Sequence, residues 1–281
     1  MLPVVLALAS AALFGGMTVA LRLALVRFPG AALGAVATVA WALAVALVAA
    51  GVEASQGDVH LAGAWVFALA GLLAPGGSQI LFTLAVRDAG ASRTSVAVGA
   101  APLVSVAIAL VVLGEPARPA LIAGALLIVA GGLALAFDRR RPEHLRRIGL
   151  AYAAAATVLF ATRDNVVRSL SDGEVPPSTA MATTLLVGLV AALLFARAIP
   201  SRERMLAFAP AGICFGLSYV FLFEAFYHGR VTVVAPLVAT ESLFGVGLSI
   251  LLLRRAELVG ARLALGALLI VAGGVLIGLA R

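Results

Sequence analysis

Polar residues fall in short clusters along this chain, and between them lie apolar runs, each close to the roughly 20 residues with which a helix crosses the hydrocarbon core of a bilayer. A helix also satisfies its own backbone hydrogen bonds in lipid. The runs lack the alternation typical of barrel strands. The pattern therefore predicts an all-α integral membrane protein with ten transmembrane helices. The expected spans are residues 3–27, 31–51, 62–86, 94–113, 119–137, 147–169, 178–199, 205–227, 232–253 and 259–280.

The fifth and tenth runs share a segment of identical sequence. The letters GALLIVAGG at 124–132 recur at 266–274, 142 positions later. Residues 14–22 align with 160–168 in the same order along the chain. These matches indicate that the chain arose from an internal duplication.

The duplication predicts how the halves lie in the membrane. Each half contains five predicted helices, and an odd number makes the second copy enter from the opposite side. We therefore predict two inverted five-helix repeats, residues 1–137 and 147–281, joined by a polar linker at 138–146. In folds of this kind the substrate site lies near the midplane, where the repeats meet.

Composition places the whole chain in a membrane. Hydrophobic residues make up 63% of the sequence and charged residues 12%, and the mean hydropathy is +1.14. A water-soluble protein needs more polar surface, whereas lipid solvates apolar faces. The net charge of +7 comes from arginines between the runs, without the basic stripe of a nucleic-acid-binding face, so no nucleic-acid partner is expected. With neither a lipidation motif nor a soluble domain, a bacterial-type inner membrane is the expected location.

Short segments in both halves follow the same order. In the first half they are AVRDAGAS at 85–92, Pro102-Leu103, LGEP at 113–116 and the helix at 124–132; in the second they are AFYHGR at 225–230, APLVATES at 235–242, Glu257 and the repeated helix. The series resembles the drug/metabolite transporter superfamily and, within it, the EamA-type proteins with their pattern A-L-R-Y, P-V, L-G-E, G-x-x-L-I-x-x-G. The resemblance covers essentially the whole chain. Ser242 stands where the family usually has proline, and two extra residues precede Glu257.

The resemblance implies a secondary transporter, often an exporter of amino acids or related metabolites, that works by alternating access without ATP. The sequence has no phosphate-binding loop, and its three histidines lack metal-ligand spacing. No enzyme activity, cofactor or metal is expected. The expected partners are a small-molecule substrate, membrane lipid and protons as a coupling ion, in a monomer or a homodimer. The alternative is a non-transporting or channel-like membrane protein.

Ionisable residues within the runs are the main signal for a site, because each costs roughly 2.5–3.5 kcal/mol at mid-membrane on insertion scales. The sixth run contains Arg163, Asp164 and Asn165. Asp164 can pair with Arg168 one turn away, which would be purely structural. Arg163 then needs another partner, and a carboxylate from another helix is one candidate.

Glu241 lies near the middle of the ninth run, five residues after Pro236, which frees backbone carbonyls in that helix. One hypothesis is that Glu241 faces a central cavity and binds a substrate amine or takes up a proton. The other is a buried structural pair with Arg163.

Three further polar residues are candidates for the cavity. Glu224 in the eighth run is one turn from His228, and the two are expected either to share a proton or to form a polar pair at the helix end. Tyr219 precedes Glu224 by more than a turn. Gln79 in the third run is expected in the cavity wall, because a buried amide in lipid needs partners.

Orientation is open between two interpretations. Fourteen of the 20 arginines follow the odd-numbered runs, so the positive-inside rule puts both termini outside the cytoplasm. The family resemblance implies that both termini are inside. An even number of helices keeps the termini on the same side in either case.

Overall fold

Helices follow the predicted runs through the part of the chain that the computed structural model describes, which is residues 1–57, 61–98, 100–136, 148–253 and 261–280. No described residue lies in a strand. In chain order the helices are α1 Leu2–Arg27, α2 Ala31–Ser55, α3 Ala64–Ala89, α4 Ala91–Val98, α5 Ala101–Val111, α6 Pro119–Ala136, α7 Ile148–Leu170, α8 Pro177–Ala196, α9 Arg202–His228, α10 Val231–Val238, α11 Glu241–Leu253 and α12 Ala261–Ala280. The predicted linker lies outside the described residues.

Five of these helices, α1, α2, α3, α8 and α9, are long and apolar enough to cross a membrane. The α3 helix is irregular between Leu72 and Gly77, where Pro75 removes a backbone donor and Ala74 leaves the helical conformation. The fourth and ninth runs were each predicted as one transmembrane span, the ninth with backbone carbonyls freed by Pro236. Each consists of two helices, α4 with α5 and α10 with α11.

The repeated GALLIVAGG helices, α6 and α12, pack against each other in antiparallel orientation. A Cβ added at Gly124 would lie 2.9 Å from the carbonyl oxygen of Gly273, and one at Gly131 would lie 2.6 Å from that of Gly266. Gly124 and Gly266 are equivalent in the repeat, as are Gly131 and Gly273. The two contacts are therefore images of one another under an approximate two-fold axis.

The same approximate axis relates the remaining helix pairs. The α1 helix packs along α9, and its equivalent α7 packs along α3. The α2 helix packs against its own equivalent, α8. Among the broken helices, α4 packs on α11 and α5 packs on α10. The first half of each broken helix thus contacts the second half of the other broken helix.

The glycine contacts predict a matched pair of mutational effects. Gly131→Ala places a methyl group against the Gly266 backbone, which cannot move aside as a flexible side chain can. We expect it to lower the free energy of unfolding by about 1–3 kcal/mol. Thermal unfolding in detergent measures the effect.

The neighbouring glycine supplies the control. A Cβ at Gly132 would meet only Ser242 Oγ, at 3.8 Å, so Gly132→Ala keeps the packing and gains up to about 1 kcal/mol of helix propensity. The repeat offers the same pair as Gly273→Ala and Gly274→Ala. Equal stability of Gly131→Ala and Gly132→Ala would contradict the proposed role of this contact.

Candidate functional site

Both broken helices are interrupted at equivalent places. The gap between α4 and α5 falls after Val98, and the gap between α10 and α11 falls after Val238, 140 residues later. Pro236 in α10 and Pro102 in the first turn of α5 each lack a backbone donor. At the second gap, the hydroxyl of Thr240 donates to the carbonyl of Leu237 at 2.7 Å. Local side chains therefore satisfy part of the freed backbone in lipid.

The two gaps meet at a cavity between the repeats. Its volume is about 40 Å³, which is room for a few water molecules and far below the roughly 300–1,000 Å³ of a typical small-molecule pocket. Both repeats contribute to its walls. The described residues that line it are Ser10, Phe14, Val98, Ala101, Pro102, Ser105, Phe160, Arg163, Asp164, Ser218, Leu222, Ala235, Val238, Ala239 and Glu241.

Arg163 and Asp164 form a buried ion pair in the wall of this cavity. Arg163 Nε lies 2.9 Å from Asp164 Oδ1. The atoms are close enough for charge pairing but are not aligned for a hydrogen bond. Within the described residues, Nε and Nη1 of Arg163 and Oδ1 of Asp164 therefore have no hydrogen-bond partner. Buried groups of this kind are able to accept new partners.

The ion pairs differ from the predicted ones. Arg168 pairs with Asp172, with Nη1 2.9 Å from Oδ1, and not with Asp164. The partner of Arg163 comes from its own helix and not from another one. The chain neighbour was the less expected partner, because successive residues point about 100° apart on a helix. The long guanidinium side chain bridges that angle.

Aromatic rings surround the guanidinium of Arg163. Its Cζ lies 4.6 Å from the ring centroid of Tyr219 and 5.9 Å from that of Phe160. Such contacts attract a cation through the ring quadrupole. The Tyr219 hydroxyl has no hydrogen-bond partner in the described part of the chain. Tyr219 contacts Arg163 through its ring, and it is not among the residues that line the cavity.

Glu241 is the first residue of α11 and lines the cavity at the gap. It is 4% exposed, and among the described residues its carboxylate has no hydrogen-bond or ion-pair partner. The structural alternative, a pair with Arg163, is not formed. The helix N-terminus is favourable for a negative charge, but no side chain neutralises it.

Asn165 and Gln79 are buried and hold helices together. Asn165 Nδ2 donates to the carbonyl of Ser105 at 3.1 Å and so ties α7 to α5. Gln79 Nε2 lies 4.0 Å from the Met17 sulfur, and its Oε1 has no partner among the described residues. Neither side chain lines the cavity.

Equivalent positions in the repeats carry different chemistry. Met17 aligns with Arg163, and Gln79 aligns with Tyr219. The contact of Met17 with Gln79 in the first half thus corresponds to the contact of Arg163 with Tyr219 in the second. The scaffold is symmetric, whereas the charged groups come from the second repeat.

Glu224 and His228 pair at the end of α9. His228 Nδ1 lies 3.6 Å from Glu224 Oε2 and 2.9 Å from the Glu224 carbonyl. Both side chains are at least one third exposed, and neither lines the cavity. The arrangement is the polar pair at the helix end.

Sequence reasoning missed the aromatic walls. Phe14 and Phe160 meet edge to face at 5.9 Å between centroids, and both line the cavity. They begin the aligned segments 14–22 and 160–168. The repeat alignment therefore contained the signal, since equivalent positions near a two-fold axis lie close together.

Comparisons with known proteins extend over the same two repeats. The model of the EamA-like transporter family matches residues 1–137 and 147–279. A solved structure titled "Crystal structure of protein" is similar in fold, with 23% identity and a TM-score of 0.77 over 99% of this chain and 97% of that chain. A search of curated proteins gives no match. Because the family model covers nearly the whole sequence, the chain belongs to the EamA-like transporter family.

Proposed function

We propose that this protein is a secondary active transporter that exports or exchanges small metabolites such as amino acids. One observation carries the proposal: the gaps of two broken helices, one from each repeat, face a common cavity that contains Arg163, Asp164 and Glu241. Discontinuous helices at a repeat interface are how many transporters build a substrate site. The coarser conclusion, a membrane transporter, follows from the family.

The energetic cost of keeping these charges buried favours a functional role for them. Buried ion pairs contribute little net stability, and apolar replacements of similar volume are often neutral or stabilising. An acid such as Glu241, which has no partner among the described residues, is more costly still. A scaffold protein has little reason to keep such groups in its interior. A transporter has a use for these groups, because a solute can bind to them.

The three groups suit a zwitterionic solute. The guanidinium of Arg163 has unused donors for a carboxylate, and Glu241 and Asp164 have acceptor oxygens for an ammonium group. The rings of Phe14 and Phe160 supply apolar walls. Glu241 takes up a proton when the ammonium group leaves, which couples the solute to the proton gradient.

The size of the cavity requires movement of its walls. A space of about 40 Å³ does not hold a metabolite, so the repeats separate on one side to admit a solute and on the other to release it. The inverted repeats provide two equivalent ways of opening. We propose that the two repeats work by alternating access through ten membrane spans.

Transport by the native chain and by Glu241→Gln tests the proposal. We expect proteoliposomes to accumulate one or more amino acids or related metabolites when a pH gradient is imposed. In Glu241→Gln the gradient-driven accumulation falls to the level of protein-free vesicles, because the amide cannot release a proton. Radiolabelled uptake with and without the gradient measures both.

Glu203 provides the matched control, because it is exposed in the first turn of α9. Glu203→Gln should retain accumulation. Unchanged accumulation in Glu241→Gln would remove the coupling role, and absence of flux for every solute would favour the non-transporting alternative.

A double-mutant cycle separates structure from function at the ion pair. Arg163→Gln or Asp164→Asn alone leaves a buried charge, which costs about 3–5 kcal/mol of stability. The double variant should recover most of this loss but not the transport. Thermal unfolding and uptake together check both expectations.

The pair of Arg168 and Asp172, in which Asp172 is exposed, is the control for the cycle. Asp172→Asn should change stability by at most about 1 kcal/mol and leave uptake intact. Recovered transport in the double variant of Arg163 and Asp164 would show that the pair is only structural.

A further inference from the structure

Glu115 contacts the opposite repeat and is not among the residues that line the cavity. It lies in the loop between α5 and α6, in the first repeat. Its two carboxylate oxygens accept hydrogen bonds from the backbone amides of Val231, at 2.9 Å, and Thr232, at 3.0 Å. These amides begin α10, in the second repeat.

The α10 helix lacks a side-chain cap of its own. The N-cap residue, Arg230, makes no capping hydrogen bond, so the first amides of the helix depend on another segment. A carboxylate at this position satisfies two amides and interacts favourably with the helix dipole. Glu115 is thus a helix cap supplied from a distance of 116 residues in sequence.

The loop is shaped to present this carboxylate. Gly114 has φ of +64°, a left-handed conformation that residues with a side chain rarely adopt. The backbone amide of the next residue, Glu115, donates to the carbonyl of Ala109 at 3.1 Å. Pro116 follows and cannot continue the helix. The segment LGEP therefore ends α5 and turns its acid towards α10.

The capped helix connects one end of the bundle to the cavity. Pro3 of α1 lies beside Gly229, just before α10, so this end is the one at which α1 begins; we call it the Pro3 end. Seven residues after its start at Val231, α10 ends at Val238, which lines the cavity directly before the gap and Glu241. A displacement of the α10 N-terminus is thus transmitted to the site.

We propose that Glu115 is a positioning residue that holds α10 against the first repeat and keeps the Pro3 end of the cavity closed. Opening at that end breaks both hydrogen bonds, and closing restores them. The inference rests on the alternating access proposed above. Glu115 would thus have a role in transport although it is not part of the proposed substrate site.

Cysteine accessibility tests the inference without a substrate. In the full-length chain with Cys214→Ala, which removes its single cysteine, Ser105→Cys places a reporter in the cavity wall. A membrane-impermeant thiol reagent is then added to sealed vesicles from each side. A cleavable tag at the N-terminus identifies the vesicle orientation.

We expect Glu115→Ala to raise the labelling rate from the Pro3 end about tenfold, the effect of losing one to two charge-assisted hydrogen bonds. Glu115→Gln keeps one acceptor oxygen and should give an intermediate rate. Glu174→Ala, which removes an exposed acid at the same end, should label like the parent.

Each outcome decides the proposal. Labelling of Glu115→Ala no faster than that of Glu174→Ala overturns it, and so does an equal increase from both sides, which indicates general loosening. If Glu115→Ala does not fold, Glu115→Gln replaces it, and labelling of Glu115→Gln at the parental rate overturns the proposal. The labelling rate does not depend on any solute. Absence of transport in the uptake assay would therefore count against the proposed function without changing the labelling result.

Discussion

Backbone amides and carbonyls cannot remain unpaired in lipid, and this constraint organises the structure. Two helices of the bundle are nevertheless broken, α4 with α5 and α10 with α11. The breaks are tolerated because they lie inside the protein, where Thr240 and Ser242 donate to nearby carbonyls. The cavity exists at this place because it is where irregular backbone can be accommodated.

Symmetry supplies the framework, and its departures supply the chemistry. The antiparallel contact of Gly124 with Gly273 and its image hold α6 against α12 at backbone distance. Repeat-equivalent Phe14 and Phe160 meet in the cavity wall. The charges, by contrast, come from α7 and α11 of the second repeat. A duplicated scaffold needs only one copy to change for its central site to become polar.

The buried charged groups are only partly paired with one another among the described residues, which leaves atoms with which a solute can interact. Arg163 and Asp164 compensate one another, yet both retain atoms without hydrogen-bond partners. Glu241 has no compensating partner among the described residues. Hydrophobic packing by α6, α12 and the aromatic walls has to offset the cost of keeping these groups in place. Outside the cavity, by contrast, both carboxylate oxygens of Glu115 accept hydrogen bonds from the first amides of α10.

Hydropathy and self-similarity allowed the membrane class and the two repeats to be predicted, and they singled out Arg163, Asp164 and Glu241 as ionisable residues within the runs, because each of these depends on residue type and spacing alone. The exact positions of the breaks in the fourth and ninth runs, the ion-pair partners and the place of Gln79 could not be predicted. They depend on which helices pack together and on the reach of individual side chains. The sequence by itself determined that the chain is a duplicated, lipid-solvated helical protein with charges in its interior. Only the tertiary structure decided which of those charges share a cavity, because residues far apart in sequence meet there through the antiparallel packing of the two repeats.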